Sequence, residues 1–223
     1  IALIPAAGVG ARFGAGKPKQ YVEINGKTVL QHTIEIFEQH PRIDLIAVIL
    51  SPEDLVFQTA LSEKVRVFRV GGASRAETVR NGVSVLLEQG LAEAQDNILV
   101  HDAARCCLPA EALTRLLDEA GENDEGGILA IPVADTLKRA DGSHHIDETV
   151  ARAGLWQAQT PQLFQTALLN RALSVDDLSE ITDEASAVEK LGIRTRLVQG
   201  DTRNLKLTLP QDEYIVRLLL KAV

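Results

Sequence analysis

No apolar run in this 223-residue chain approaches the ~20 residues that a membrane-spanning helix requires, so a soluble protein with no membrane partner is expected. Cysteine is scarce. The two present, Cys106 and Cys107, are adjacent and cannot staple distant segments, and no Cys or His spacing matches a zinc site. The pair reads as two small buried hydrophobes after a strand rather than a redox or metal centre, and a reducing cytoplasm fits this usage. His144-His145 lies beside Gly142-Ser143 in a polar turn and reads as solvated, with no metal assigned. No basic-then-apolar signal segment stands before the first strand, which agrees with a cytoplasmic location. Overall positive charge is also lacking: the formal charge of −8 excludes a general nucleic-acid binder, so cations for a phosphorylated substrate must be local. Internal repeats and low-complexity tracts are absent.

What is present is a core-forming composition, 45% hydrophobic, long enough for one domain over residues 1–223. Short β-branched apolar runs at Leu45–Leu50, Val65–Val70, Ile98–Val100 and Ile128–Val133 read as strands. Amphipathic segments at Val29–Glu38, Pro52–Leu61, Arg75–Glu88 and Pro109–Ala120 read as helices. This alternation predicts an α/β fold: a mostly parallel, Rossmann-like sheet with helices on both faces. The alternation breaks from Ala134 to Gln159, where polar turns separate short strand-like stretches at Thr136–Arg139 and Glu148–Ala151. That segment reads as a projecting β-arm, and because an isolated ribbon is marginal in water, it is expected to pack against the arm of a second subunit. Beyond it the pattern predicts helices at Thr166–Leu173 and Thr182–Leu191, the latter capped by Thr182. Strands at Arg194–Val198 and Leu205–Leu209 and a closing helix after Pro210 complete the chain.

The first strand runs into Pro5-Ala6-Ala7-Gly8-Val9-Gly10-Ala11-Arg12-Phe13-Gly14-Ala15-Gly16-Lys17-Pro18-Lys19-Gln20. Small residues let backbone N–H groups approach a polyanion, and Arg12, Lys17 and Lys19 add full positive charge, so the stretch reads as a phosphate cradle for a nucleoside triphosphate. The alternative is a glycine-rich strand-to-helix turn carrying solvated basic residues. A dinucleotide fingerprint fails because Phe13 stands where glycine is needed, and a Walker-type loop fails because Pro18 follows Lys17. In α/β sheets of this kind ligands bind outside the carboxyl ends of the strands. Gly71-Gly72 and His101-Asp102 end strands in the same layer as the loop, so three segments should converge on one crevice. Asp102, with Ala103-Ala104 leaving space beside it, suits a hard divalent cation that takes one carboxylate plus substrate phosphates; capping a helix is its other reading. Arg105 either pairs with Asp102 or faces phosphate.

Eight motifs in order resemble one family. They are Pro5-Ala6-Ala7-Gly8-x-Gly10-x-Arg12 with Pro18-Lys19-Gln20-Tyr21, Gly71-Gly72-x-x-Arg75, Val100-His101-Asp102-Ala103-Ala104-Arg105, Asp135-Thr136-Leu137-Lys138, Gly154-Leu155-Trp156, Gln159-Thr160-Pro161-Gln162, Thr182-Asp183-Glu184-Ala185-Ser186 and Asn204-Leu205-Lys206. Together they resemble the 2-C-methyl-D-erythritol 4-phosphate cytidylyltransferases of the non-mevalonate isoprenoid pathway, across nearly the whole chain. The first motif alone marks only the wider nucleotidyltransferase superfamily.

The resemblance implies a nucleotidyltransferase fold and a reaction between CTP and methylerythritol phosphate, with Mg2+ or another divalent cation as cofactor. It implies that Arg12 and Lys19 hold the triphosphate and stabilise the transition state, that Lys206 also meets the phosphates, and that Asp102 serves metal and substrate. Ala6, Ala7, Gly8, Gly10, Gly72 and Thr78 fall in the nucleotide site. Arg105, Thr160 and Thr182 fall on the alcohol-phosphate side, with Thr136 and Arg152 arriving from the partner's arm at about 134–159. The chain departs from many relatives at Ala73, where they carry an acid, at Thr78, where they carry serine, and at Cys106, where they carry proline. A cytidylyltransferase for another polyol phosphate such as ribitol 5-phosphate, and a noncatalytic nucleotide sensor, are the alternatives.

Overall fold

The alternating apolar runs assemble into a seven-stranded sheet in the computed structural model, which describes residues 1–8, 18–58 and 62–221. The strands in chain order are β1 (Ala2–Pro5), β2 (Glu23–Ile24), β3 (Lys27–Thr28), β4 (Ile46–Ile49), β5 (Val65–Phe68), β6 (Asn97–Val100), β7 (Gly127–Pro132), β8 (Leu137–Ala140), β9 (Ile146–Val150), β10 (Trp156–Gln165) and β11 (Arg196–Gln199). The helices are α1 (Val29–Gln39), α2 (Arg75–Glu88), α3 (Ala110–Ala120), α4 (Thr166–Leu173), α5 (Glu184–Glu189) and α6 (Asp212–Leu219). The main sheet has the order β11-β7-β10-β6-β1-β4-β5. Every pairing in it is parallel except the two made by β10, which runs antiparallel to both β6 and β7.

Because side chains alternate across a strand, each central strand feeds two cores. Ala2, Ile4, Val48 and Leu99 face α1 and α3, where they meet Leu30, Ile34, Phe37 and Leu116. Leu3, Ala47, Ile49 and Val100 face α2 and α4, where they meet Val79, Val83, Leu86 and Leu169. Helices on both faces explain why these strands read as continuous apolar runs. Fully burying a side chain such as Phe37 contributes roughly 1.5–3 kcal/mol. Gly82 lets α2 lie close to the sheet: a Cβ there would sit 2.9 Å from both Leu3 Cδ1 and Ile49 Cγ1. Local chemistry starts the helices where the pattern places them. Thr28 and Gln31 form a reciprocal capping box before α1, and Ser74 Oγ accepts from Glu77 N–H at 3.1 Å before α2.

Several expectations are corrected. The segment read as a helix over Pro52–Leu61 is an irregular loop through residue 58; residues 59–61 lie outside the described chain. Asp54 Oδ1 accepts from Val56 and Phe57 N–H at 3.0 Å each, offering a local turn in place of a helical ladder; Leu55 and Val56 are exposed, and Phe57 alone of the three packs against the core. Leu205–Leu209 is not a strand: Leu207 N–H makes a single bond to Ala104 O, while Thr208 and Leu209 N–H go to Asp212 Oδ2 at the start of α6. Asp183, not Thr182, caps α5, its carboxylate accepting from Ser186 N–H while Ser186 Oγ returns the bond.

The largest unexpected element is β10. It takes Trp156 to Gln159 away from the arm and into the main sheet, where Trp156 pairs with Pro132, so the projecting arm is shorter than 134–159. What projects is the β8–β9 ribbon, almost entirely exposed in the single chain. Cys106 is buried with Ile24, Val29 and Leu207, and Cys107 packs at that cluster's edge; both are free thiols, as expected of small hydrophobes. His144 and His145 are exposed.

Candidate active site

A cavity of about 430 Å³ opens at the carboxyl ends of β1 and β6. Eight of the residues singled out from sequence line it: Ala6, Ala7, Gly8, Lys19, Gly72, Thr78, Asp102 and Lys206. Three segments do converge there, joined by the stretch around Lys206. Gly10 and Arg12, like Lys17, lie outside the described residues.

One wall is small residues and backbone. Gly71 and Gly72 pass between two neighbours too closely for any side chain: a Cβ at Gly71 would lie 2.3 Å from Ala7 Cβ, and one at Gly72 2.3 Å from Glu77 Cγ. Thr78, buried at the start of α2, shapes this turn, its hydroxyl accepting from Gly72 N–H at 3.1 Å and donating to Ser74 O at 2.9 Å. Glu77 Oε2 accepts from Ala73 N–H at 2.8 Å. Opposite, Gln20 Nε2 donates to Ala6 O and Gly8 O, both at 2.9 Å, which pins the start of the glycine loop to the 3₁₀ turn Lys19–Tyr21. In a trans peptide the N–H points opposite the carbonyl, so holding Ala6 O toward Gln20 aims Ala7 N–H away from it.

The other wall is charged and centred on Asp102. Its Oδ1 accepts from Arg75 Nε at 2.8 Å, its Oδ2 pairs with Lys206 Nζ at 2.8 Å, and Arg105 Nε stands 3.6 Å from Oδ2. Burial works to raise this carboxyl's pKa, but Arg75, then Lys206 and Arg105, outweigh it and hold it well below the ordinary carboxylate range. Asp102 is thus an anion among three cations rather than a helix cap. Arg75 also grips buried Glu184, Nη1 to Oε1 at 2.7 Å and Nη2 to Oε2 at 3.0 Å. Burial pushes the Glu184 carboxyl up, against the opposing pull of Arg75.

Beneath Asp102 lies a polar network made by β6 and the bulge of β10. Thr160 Oγ1 accepts from Asp102 N–H at 3.0 Å and lies 3.1 Å from His101 Nδ1. Asn204 Nδ2 donates to Thr160 O at 2.7 Å, and Arg105 Nη1 donates to Asn204 O at 2.6 Å. Arg105 therefore sits under the cavity, tied to Asp102 and Asn204. Thr182 is exposed beside the α5 cap, and Thr136 and Arg152 are exposed around the arm, apart from the cavity lining. Gln20, Arg75, His101 and Glu184 were not singled out as site residues from sequence. The signal existed for all four, since each stands inside a quoted motif, but their partners are up to 109 residues away.

A mostly parallel sheet whose strand ends hold a small-residue wall, lysines and one buried aspartate defines an α/β protein of the nucleotidyltransferase type. The chain belongs to the IspD family, the 2-C-methyl-D-erythritol 4-phosphate cytidylyltransferases, whose model matches residues 1–222. It is 70% identical over 226 residues to the 2-C-methyl-D-erythritol 4-phosphate cytidylyltransferase of Neisseria meningitidis serogroup C / serotype 2a, covering 100% of this chain and 98% of that protein. Its fold matches the crystal structure of a 4-diphosphocytidyl-2C-methyl-D-erythritol synthase with a TM-score of 0.87 at 62% identity, over 98% of each chain. The Francisella tularensis 2-C-methyl-D-erythritol 4-phosphate cytidylyltransferase matches with a TM-score of 0.82 at 32% identity, again over 98% of each chain.

Proposed function

We propose that this protein transfers the cytidylyl group of CTP to 2-C-methyl-D-erythritol 4-phosphate, giving 4-diphosphocytidyl-2-C-methyl-D-erythritol and pyrophosphate. The observation that carries this reading is the meeting of Lys19, Lys206 and Asp102 with the narrow Ala6–Gly8 and Gly72–Thr78 walls in one cavity of a chain belonging to this family. A phosphate monoester has a second pKa of about 6, so its oxygen is already a nucleophile at neutral pH and no general base is needed. That oxygen attacks the α-phosphorus of CTP, and the bond to the β-phosphate oxygen breaks. The protein's task is alignment of two anions and stabilisation of the charge that develops.

In this reading Lys19 and Lys206, with Arg12, hold the triphosphate and offset the charge on the five-coordinate phosphorus and departing pyrophosphate. Ala6, Ala7, Gly8, Gly10, Gly72 and Thr78 receive the nucleoside and the phosphate chain. Thr160 and Thr182 serve the alcohol phosphate, and the arm of a second copy brings Thr136 and Arg152, so the working unit is a homodimer. The exposed β8–β9 ribbon supports this, since such a ribbon has little reason to hold its form unpacked. Arg105 acts from beneath, keeping Asp102 and the Asn204–Lys206 stretch in register.

Among the described residues no group of three His, Cys, Asp or Glu side chains could hold a metal ion. Magnesium does not require one: it takes one or two carboxylates, keeps several waters and completes its shell with substrate phosphates, so Asp102, which lines the cavity, would hold it by Oδ2 once Lys206, its partner at 2.8 Å, turns to the phosphates. Bound with CTP, magnesium would neutralise phosphate charge. No helix among the described residues is long and apolar enough to cross a membrane, and the two free thiols agree with a cytoplasmic setting. The test is pyrophosphate release from CTP with methylerythritol phosphate, compared with ribitol 5-phosphate. Preference for the first supports the reading, preference for the second reassigns the alcohol, and release from neither points to a nucleotide sensor.

A further inference from the structure

Glu184 is the most buried acid among the described residues, 1% exposed, and its side-chain hydrogen bonds go to Arg75 alone. The two parallel N–H···O bonds clamp the plane of the guanidinium, which fixes the direction of the remaining Nε–H. That N–H ends on Asp102 Oδ1 at 2.8 Å, leaving Oδ2 to Lys206. One planar group thus ties the first residue of α2, the first residue of α5 and the end of β6 together. Ion pairs withdrawn from water contribute little net stability compared with apolar side chains of similar volume. Stability therefore gives no reason for this one, whereas orientation does. Two parallel bonds on one side and a single bond on the other leave Asp102 one rotamer, with Oδ2 toward Lys206 and the cavity.

We propose that Glu184 is a positioning residue for the cytidylyl transfer, acting on Asp102 through Arg75. The proposal rests on the functional reading above and adds to it a relay from outside the cavity, since Arg75 lines the cavity and Glu184 does not. Glu184→Gln keeps the shape but turns one acceptor into a donor facing Arg75, so the clamp opens. In the full-length enzyme it should lower kcat roughly tenfold, within the range seen for coupled neighbours. Glu184→Asp, which keeps the charge, should recover part of that loss.

The deciding experiment is a double-mutant cycle with Asp102→Asn. If Glu184 acts through Asp102, Glu184→Gln should change neither kcat nor the CTP dissociation constant, measured calorimetrically with magnesium present, once Asp102 is already altered. Multiplicative effects of the two substitutions would overturn the relay, because a merely structural role adds independently. A second variant guards against misfolding: Arg75→Met with Glu184→Leu removes both charges of the clamp and leaves Asp102 to Lys206 and Arg105, so its melting is measured beside its turnover, which should fall. A folded double variant with wild-type kcat overturns the proposal. If the wild type releases no pyrophosphate from CTP and methylerythritol phosphate, the substrate reading fails, and the CTP-binding cycle still decides the relay.

Discussion

His101 should make the stability of this protein depend on pH in a way that one substitution removes. Its side chain has no exposed surface, and its ring meets Phe37 edge-on at a centroid distance of 5.2 Å. Nε2 is 2.9 Å from Arg105 O, a carbonyl that only accepts, so Nε2 carries the hydrogen. Nδ1 is then the acceptor for the Thr160 hydroxyl 3.1 Å away. Burial, the dominant influence, pulls the imidazole from 6.5 down to about 4, even though Arg105 O and Asp102 favour the charged ring. The unfolded chain therefore binds the extra proton first as pH falls, and stability declines from about pH 6.5 down to about pH 4. A displacement of that size corresponds to a few kcal/mol of stability, most of it lost by about pH 4.5. His101→Gln retains a neutral donor toward Arg105 O but cannot charge. Urea unfolding at about pH 7.5 and about pH 4.5 should show the wild type losing more stability than the variant, by on the order of 2 kcal/mol, the other titrating groups cancelling in the comparison. Equal losses in both proteins would show that this ring does not titrate on unfolding and would refute the buried neutral assignment.

Arg12→Ala and Lys19→Ala should each lower turnover by roughly a hundredfold or more with the fold intact, as expected for removing a cation that stabilises developing charge. Near wild-type turnover at saturating substrate in the folded variants would remove that role. Asp102→Asn should weaken magnesium-dependent activity, read from a magnesium titration, and an unchanged rate and midpoint would leave Asp102 with only its structural bonds. On the proposed reading Arg152→Ala should impair use of the alcohol phosphate more than CTP binding, since it would remove a paired-donor contact to phosphate. Co-refolding Arg152→Ala with Lys19→Ala chains should restore roughly a quarter of wild-type activity under random pairing, since half the dimers then carry one intact site of two. Heterodimers that form yet remain inactive would place both residues in the same subunit's site.

Much of the fold was legible because burial on both faces leaves a simple signature. β4, Ile46–Ile49, is buried at every position, and α2 occupies Arg75–Glu88, the span predicted from its amphipathic pattern, with Ser74 as cap. β10 was not legible, for a physical reason. Its sequence, WQAQTPQLFQ, carries four glutamines and a central proline, and proline cannot donate to a ladder. The structure places that proline where the ladder is already broken, in the register shift between Ala158 and Gln162. A bulge tolerates what a regular central strand does not. The same irregularity carries Thr160 beneath Asp102, so the element hardest to read is one that shapes the site.

The cavity lining was legible in part, through eight of the residues read from sequence, and illegible as a set of pairs. Strand ends and glycines announce where a cavity forms, because backbone geometry is local. Which cation meets Asp102 is decided by contacts 27 and 109 residues apart in the Arg75 links, and no spacing rule encodes those. Arg105 illustrates the consequence. From sequence it could pair with Asp102 or face phosphate; in the structure it approaches Asp102 and donates to Asn204 O, two residues before Lys206. Leu207 N–H, bonded to Ala104 O at 2.8 Å, fastens the same stretch from the other side of Lys206. Lys206 is thereby bracketed by two bonds to the loop that follows β6, and its ammonium is delivered to Asp102 by that loop rather than by a helix or strand of its own. A substitution at Arg105 should therefore act on Lys206 as much as on any direct contact with substrate.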